Sequence, residues 1–342
     1  MNIVPVVFED HGLAGMRPLA WSTPVFEIRC GMFNTRERVD RVSPGGGGIL
    51  LGRSFLSGLN RASGWVWGAE AFRKAKPDDR FLFLNGLLAP DFLLINDLFR
   101  LAEGGDPFVW RDQAGLVAAL VDGRQATQLA ADWTAWEEGC TASGLWHDPL
   151  RALPIWQADL PDCPPLAEDK LADLPGRQKG APRFVWSIVT ATARALAGDL
   201  DHALNHPPFR REPFGIFPLD EKGDWVWEGE TRLRNLAEAM ATDGVDPALA
   251  DNRGRVYCGS NVSLAPDTAL NTESGPIILD NGVTVMPHCY LEGPLYIGSG
   301  SLVKPGTRIH GETSLGIVNR VAGEIGESTF GDFANKQHEG FI

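Results

Sequence analysis

The chain has 342 residues, of which 44% are hydrophobic and 22% charged, ordinary values for a globular protein and too many residues for one compact core. Its formal net charge of −13 argues against a nucleic-acid partner gripped through phosphates, while leaving room for a local basic pocket that takes a small anion. Five scattered cysteines, Cys30, Cys140, Cys163, Cys258 and Cys289, form no CxxC pair and predict free thiols in a reducing compartment. The N-terminal segment carries acid where a signal peptide carries base, and no apolar run nears a membrane span. The expectation is a cytoplasmic protein with no nucleic-acid and no membrane partner.

In chain order, Ile3–Phe8 reads as a buried strand, followed by a turn-rich stretch from Glu9 to Leu19. The glycines from Gly45 to Gly48 could cradle a phosphate, but no GK[ST] follows, so a surface loop is the better reading. Trp65–Trp67 and Phe81–Leu84 read as strands, the second running into Asn85-Gly86. Ligands of open α/β sheets sit at such C-terminal strand ends. Asp91 caps a helix through Leu94, Leu98 and Leu101 that stops at Gly104-Gly105. Phe108–Trp110 and Leu116–Val121 form a further strand pair, and Leu129, Trp133 and Trp136 make the core stripe of a helix. Strands alternating with helices to about residue 185 indicate an α/β domain. A Pro- and Asp-rich stretch from Pro154 to Pro182 allows a short helix near Leu166–Leu174. Two apolar stripes, Val185-Ile188-Thr192-Leu196 and Leu233-Leu236-Met240, make residues 186–250 a helical connector.

The remainder is organised differently. Leu279, Val285, Leu291, Ile297, Val303, Ile309, Leu315 and Val321 are eight apolar residues at a constant period of six. Four places after each stands a mostly small residue, as at Ser301, Thr307 and Thr313, with Gly and Pro between. This is the hexapeptide repeat of a parallel β-helix, with three hexapeptides per coil. Burying one such side chain contributes about 1.5–3 kcal/mol, against about 1–2 kcal/mol of entropy for each backbone residue ordered. One rung cannot stand alone, so the coils must stack. A weaker echo at Val256, Val262 and Thr268 precedes a slip of phase across Thr272–Pro276, giving four to five coils over residues 251–342.

Three segments carry a resemblance: Arg17-Pro18-Leu19-Ala20-Trp21-Ser22-Thr23-Pro24-Val25-Phe26-Glu27-Ile28-Arg29-Cys30-Gly31, Phe83-Leu84-Asn85-Gly86-Leu87-Leu88-Ala89-Pro90, and Gly323–Ser328 continuing to Asn335-Lys336-Gln337-His338-Glu339-Gly340-Phe341-Ile342. Together they resemble a divergent bacterial branch of the bifunctional N-acetylglucosamine-1-phosphate uridylyltransferase/glucosamine-1-phosphate N-acetyltransferase family. The resemblance implies an α/β nucleotidyltransferase-like domain over residues 1–185 and a left-handed β-helix, cut short at its C-terminus, for the acyltransferase. It implies sugar phosphate and nucleotide as ligands, Mg2+ as cofactor, acetyl-CoA as acyl donor and a homotrimer with sites between adjacent β-helices. Carried over residue by residue, Arg17, Arg29, Asn85 and Gly86 bind the nucleotide or sugar phosphate. Lys304 (in Lys304-Pro305-Gly306), Arg320 and Lys336 bind the acceptor's phosphate, and His338 with Asn335 serves acyl transfer as base and hydrogen-bond donor.

The departures are specific. Pro24 is followed by Val25 where the family has Lys, and Leu87 stands where the family places the magnesium-holding Asp. Glu9, Asp10 and Glu27 are the nearest carboxylates that could substitute. In the resembled family the acyl-transfer base lies a few residues beyond the Asn-Lys-Gln-His motif. Two other readings stay open. One is a degenerate sugar-nucleotide-binding or assembly module. The other, weaker, is a zinc β-helix of the γ-carbonic-anhydrase type using His288, His310 and His338, whose unequal phases in the repeat oppose it.

Overall fold

The structure is a computed structural model that describes residues 3–60, 62–112, 115–143, 160, 163–172, 174, 182, 184–205, 215–216, 256–259, 261–265 and 267–338. The helix read around Leu233, Leu236 and Met240 lies outside the described residues. The chain divides into two compact units, Met1–Ile28 with Asn34–Ser187 and Arg29–Phe33 with Ile188–Ile342.

The first unit is built on strands β1 (Ile3–Phe8), β2 (Gly48–Leu51), β3 (Trp65–Trp67), β4 (Arg80–Asn85), β5 (Phe108–Asp112) and β6 (Gly115–Asp122). They form one sheet in the order β3-β2-β1-β4-β6-β5. The first four are parallel, while β6 runs antiparallel to both β4 and β5. Both faces are covered, so the central strands are apolar throughout. Val7, Leu50, Leu82 and Leu84 face helices α1 (Thr35–Val42) and α2 (Phe92–Glu103). Val6, Leu51, Phe81 and Phe83 face α3 (Gly123–Ser143) through Leu129 and Trp133. Asp91 caps α2 by accepting from the Leu93 N–H, as the sequence predicts. A short helix α4 (Glu168–Ala172) follows.

Helix α5 (Val185–Asn205) leads into the second unit, a left-handed parallel β-helix. Its three faces are stacks of short parallel strands. Face one holds Val256–Cys258, Ile277–Leu279, Leu295–Ile297, Thr313–Leu315 and Thr329–Phe330, with Gly215–Ile216 added antiparallel at its edge. Face two holds Ser263–Leu264, Thr284–Val285, Leu302–Val303, Arg320–Val321 and Asn335–Lys336; face three holds Ala269–Asn271, Tyr290–Glu292, Arg308–Ile309 and Glu324–Ile325. This gives four coils and part of a fifth. All eight residues of the six-residue series are buried within one core.

The echo before Leu279 has a different meaning from the one its spacing suggested. Leu279 pairs with Cys258, Val285 with Leu264 and Leu291 with Leu270. Cys258, Leu264 and Leu270 therefore continue the large apolar series, while Val256, Val262 and Thr268 occupy the small-residue phase. The shift arises because 21 residues separate Cys258 from Leu279, against 18 from Leu279 to Ile297. The last coil is tighter, with 15 residues from Leu315 to Phe330. Corners take positive φ at a fixed place, three residues after the inward one, as at Gly282, His288, Gly300, Gly306, Glu312 and Val318.

Face one also buries its outward residues Ile278, Tyr296 and Ser314. Ser314 Oγ donates to the Gly31 carbonyl at 2.6 Å, and the hydroxyls of Thr192 in α5 and Thr329 meet at 2.8 Å. Gly31 holds φ +77°, and a Cβ there would lie 2.6 Å from Asp199 Oδ2. That carboxylate accepts the Met32 N–H at 2.8 Å, so the bend at Gly31 tolerates no side chain.

Candidate functional site

β1 is the point where the strand order of the first unit reverses, since β1 leads outward to β2 while β4 lies on its other side. Parallel strands end there in a crevice, and the chemistry of the first unit gathers at those ends. Asn85 closes β4, and its Nδ2 donates to Asp10 Oδ2 at 2.7 Å and to the Leu116 carbonyl at 2.9 Å. Its Oδ1 accepts from Leu87 N at 2.9 Å, while Asp10 Oδ1 accepts from Gly12 N at 2.8 Å. The Gly86 N–H reaches the Phe8 carbonyl at 2.8 Å. A Cβ on Gly86 would come within 3.0 Å of both that carbonyl and Val25. The two strand ends are thus lashed together, with the loop Asp10–Arg17 rising beside them. Arg17 follows the short helix His11–Met16 as its C-cap.

Glu9 is fully buried and bound to Arg53, which is 3% exposed, at the end of β2. Its carboxylate takes Arg53 Nε at 3.1 Å, Arg53 Nη2 at 3.0 Å, Arg53 N at 2.9 Å and Val25 N at 2.8 Å. Arg53 also donates to the carbonyls of Ala20 and Thr23, pinning the loop that follows Arg17. Arg53 went unread in the sequence because the glycine run hid β2. The strand Gly48–Leu51 places Gly52-Arg53 at the same sheet edge as Asn85-Gly86, and that edge position was the available signal.

Arg29 belongs to the second unit, 4% exposed, with Nε 3.1 Å and Nη2 3.4 Å from the two carboxylate oxygens of Asp332 and a further bond to the Met32 carbonyl. Glu27 is likewise engaged, by Arg36 and by Asn34 Nδ2 at 2.7 Å.

These partners bear on magnesium. Glu9 has four donors on its two oxygens, Glu27 is paired with Arg36, and Asp10 accepts from Asn85 and Gly12. Leu87 is buried, and a Cβ on Gly12 would meet its Cδ1 at 2.9 Å. An apolar side chain thus packs the space beside the turn. Among the described residues no group of three His, Cys, Asp or Glu could hold a metal ion. The donor set does not fit a built magnesium site.

The second unit gathers its polar residues at the corner after face two. Lys304 Nζ donates to Gln337 Oε1 at 2.8 Å. Lys336 stands opposite Val321 in the inward series, and its ammonium turns back to the carbonyls of Ala322 at 2.9 Å and His338 at 3.2 Å. Lys336 therefore closes the apolar axis and fixes the segment that carries His338. His338 is exposed; Asn335 pairs with Arg320 on the outer side of face two, and both are exposed. His288 occupies a corner near Asp267, at 3.8 Å, while His310 follows face three between Glu292 and Glu324. His288 and His338 are three coils apart, about 14 Å at sheet spacing, which sets them too far apart for one zinc.

Comparison with known proteins matches residues 5–144 to the sugar nucleotidyl transferase family. The "Bifunctional protein GlmU" of Paraburkholderia xenovorans is 28% identical over 206 residues, covering 59% of this chain and 39% of that protein. That of Burkholderia thailandensis is 27% identical over the same shares. That of Burkholderia vietnamiensis is 36% identical over 81 residues, 23% of this chain and 17% of that protein. The match with the first two thus spans about two-fifths of their length. Over these stretches the chain is similar to GlmU proteins. Residues 5–144 thus resemble a sugar nucleotidyl transferase domain, and a β-helix follows in the chain. In the β-helix Lys336 and Gln337 have structural partners that a motif alone could not display.

Proposed function

We propose that this GlmU-like chain acts in sugar-nucleotide metabolism as a transferase on an amino-sugar 1-phosphate. The reading rests on the 2.7 Å bond from Asn85 to Asp10, which joins the ends of β4 and β1 at the reversal of strand order. Arg17 and the Asn85-Gly86 turn hold the nucleotide or sugar phosphate there. In the β-helix unit Lys304 and Arg320 hold the phosphate of an acyl acceptor. His338, with Asn335 nearby in sequence, takes the proton from its amine, and an acyl thioester such as acetyl-CoA is the donor. The protein works as a cytoplasmic homotrimer.

Nucleotidyl transfer spreads negative charge over phosphate oxygens, which cations must neutralise. Here we assign part of that task to Arg17, at the end of the loop beside β1 and β4, while Arg53 is bound to Glu9 and Arg29 to Asp332. Turnover in the first unit is therefore slow. Incubating the full chain with UTP, magnesium and N-acetylglucosamine 1-phosphate tests this by pyrophosphate release. The expected rate is at least a hundredfold below the usual range of about 1–1,000 per second. Ordinary magnesium-dependent rates, abolished by Arg17→Ala, would overturn it. The same partnerships favour a second reading, a nucleotide-binding domain that has lost transfer altogether; saturable binding with no pyrophosphate identifies that case.

A further inference from the structure

Several exposed apolar side chains of the first unit gather at one edge. Leu19, Trp21, Phe55, Leu59 and Leu93 are large, apolar and exposed, and all five lie in the segments that leave the C-terminal ends of β1, β2 and β4. Single exposed apolar residues are ordinary, whereas a group of them beside a crevice marks a place where something binds. This is the edge where β4 ends at Asn85-Gly86 and the loop from Asp10 to Arg17 leaves β1. Trp21 is 57% exposed and Phe55 62%, so each holds an aromatic ring out in water.

Neither ring hangs on a loose segment. Arg53 Nη1 donates to the Ala20 carbonyl and Nη2 to that of Thr23 at 3.2 Å, so one guanidinium grips the backbone on both sides of Trp21. The face of the same guanidinium lies over the Phe55 ring, 5.5 Å from its centroid, while Glu9 neutralises its charge. Trp21 N donates to the Pro18 carbonyl at 3.0 Å and Thr23 N to that of Leu19 at 3.2 Å. The stretch is thus a closed turn with Ala20 buried inside it. Ser54 N donates to the Glu137 carboxylate, which fixes the start of the short helix Ser54–Leu59 that carries Phe55. Both rings are set out from one buried ion pair, on backbone that is ordered before a ligand arrives.

Covering an aromatic face needs an occupant with a flat surface of its own. Arg17 and Trp21 are four residues apart in one loop, a stretch that spans no more than about 14 Å when fully extended. The turn from Pro18 to Trp21 shortens it further. A ligand anchored on Arg17 by phosphate and reaching Trp21 must therefore carry its flat group a few bonds from the anion. A nucleotide has that form, its base one ribose away from its phosphates. A sugar 1-phosphate has the anion but no flat face.

We propose that Trp21 stacks on the base of a nucleotide whose phosphates lie at Arg17, and that Phe55 widens the same aromatic surface. The assignment rests on the nucleotide reading of this edge given above and adds to it the residues that hold the base. Stacking uses the π-face common to all bases and reads no hydrogen-bond pattern, so by itself it holds uracil and adenine alike. Trp21 is thus an affinity residue for nucleotides and is silent towards a ligand without a base.

The test is a calorimetric titration of the full chain with UDP and with pyrophosphate, without added metal. The two share a diphosphate, and only UDP carries a base. Trp21→Ala should weaken UDP about tenfold, the loss of one base–aromatic stack, and leave pyrophosphate unchanged. Trp21→Phe should keep most of the affinity, because a phenyl ring also stacks, and Phe55→Ala should weaken UDP in the same selective way. Both side chains are exposed, so these changes leave the core intact. UDP held as tightly by Trp21→Ala as by the native chain, or UDP and pyrophosphate weakened equally, would overturn the stacking assignment and leave the nucleotide reading in place. A native chain that binds neither ligand would overturn both.

Discussion

Glu9 has no water to solvate its charge, so its carboxylate depends on Arg53 and two backbone N–H groups. Removing one partner of such a buried pair costs about 3–5 kcal/mol, because it strands the other charge. Arg53→Met should therefore lower the stability of the first unit by that amount in urea melts. It should also free the loop from Ala20 to Thr23, and Glu9→Gln combined with it should recover part of the loss. A melt unchanged by Arg53→Met would show that the pair does not hold this edge together. Cys258 gives a pH prediction. Burial pushes its thiol from 9.0 to about 12, so the folded state keeps a proton that the unfolded state gives up. Its contribution is complete below about pH 9 and is lost as pH rises toward 12. The fall in melting temperature between pH 8.5 and pH 10.5 should shrink in Cys258→Ala; an identical fall in both proteins contradicts the assignment.

At the level of elements, the β-helix was legible because its signal is a long, exact period with one physical cause, an axis that admits only apolar side chains. Val303 lies at zero exposure between Val285 and Val321. Val303→Asp should abolish the cooperative melt of the second unit, since an unpaired charge in that axis costs several kcal/mol; a parental melt would refute the inward placement. Where the period breaks, legibility ended. Before Leu279 the sequence offers two six-residue series, from Val256 and from Cys258, and only the pairing with Leu279 identifies Cys258 as the inward one. Helix α1 was missed for another reason. Its sequence, TRERVDRV, has little apolar character, and it is held by a capping box between Asn34 and Glu37, a signal of hydrogen bonding that periodicity does not register. The place of Asn85 and Gly86 at a strand end could be read from the sequence. The partners of Arg29 and Lys336 could not, because Asp332 and Ala322 are distant in sequence or bond through the backbone.

For the whole molecule, the central claim is that the first unit binds a nucleotide-linked sugar through Arg17 and the lashed ends of β1 and β4, without a built magnesium site. The claim joins the sheet topology, the engaged carboxylates and the buried Leu87. The direct measurement is calorimetric titration of UDP-N-acetylglucosamine into the full chain, with EDTA and with magnesium, for the native protein and Arg17→Ala. The account predicts saturable binding whose Kd changes less than about threefold on adding magnesium, and rises about tenfold or more in Arg17→Ala, as loss of a charged hydrogen bond requires. Binding that appears only with magnesium, or that Arg17→Ala leaves untouched, would contradict it.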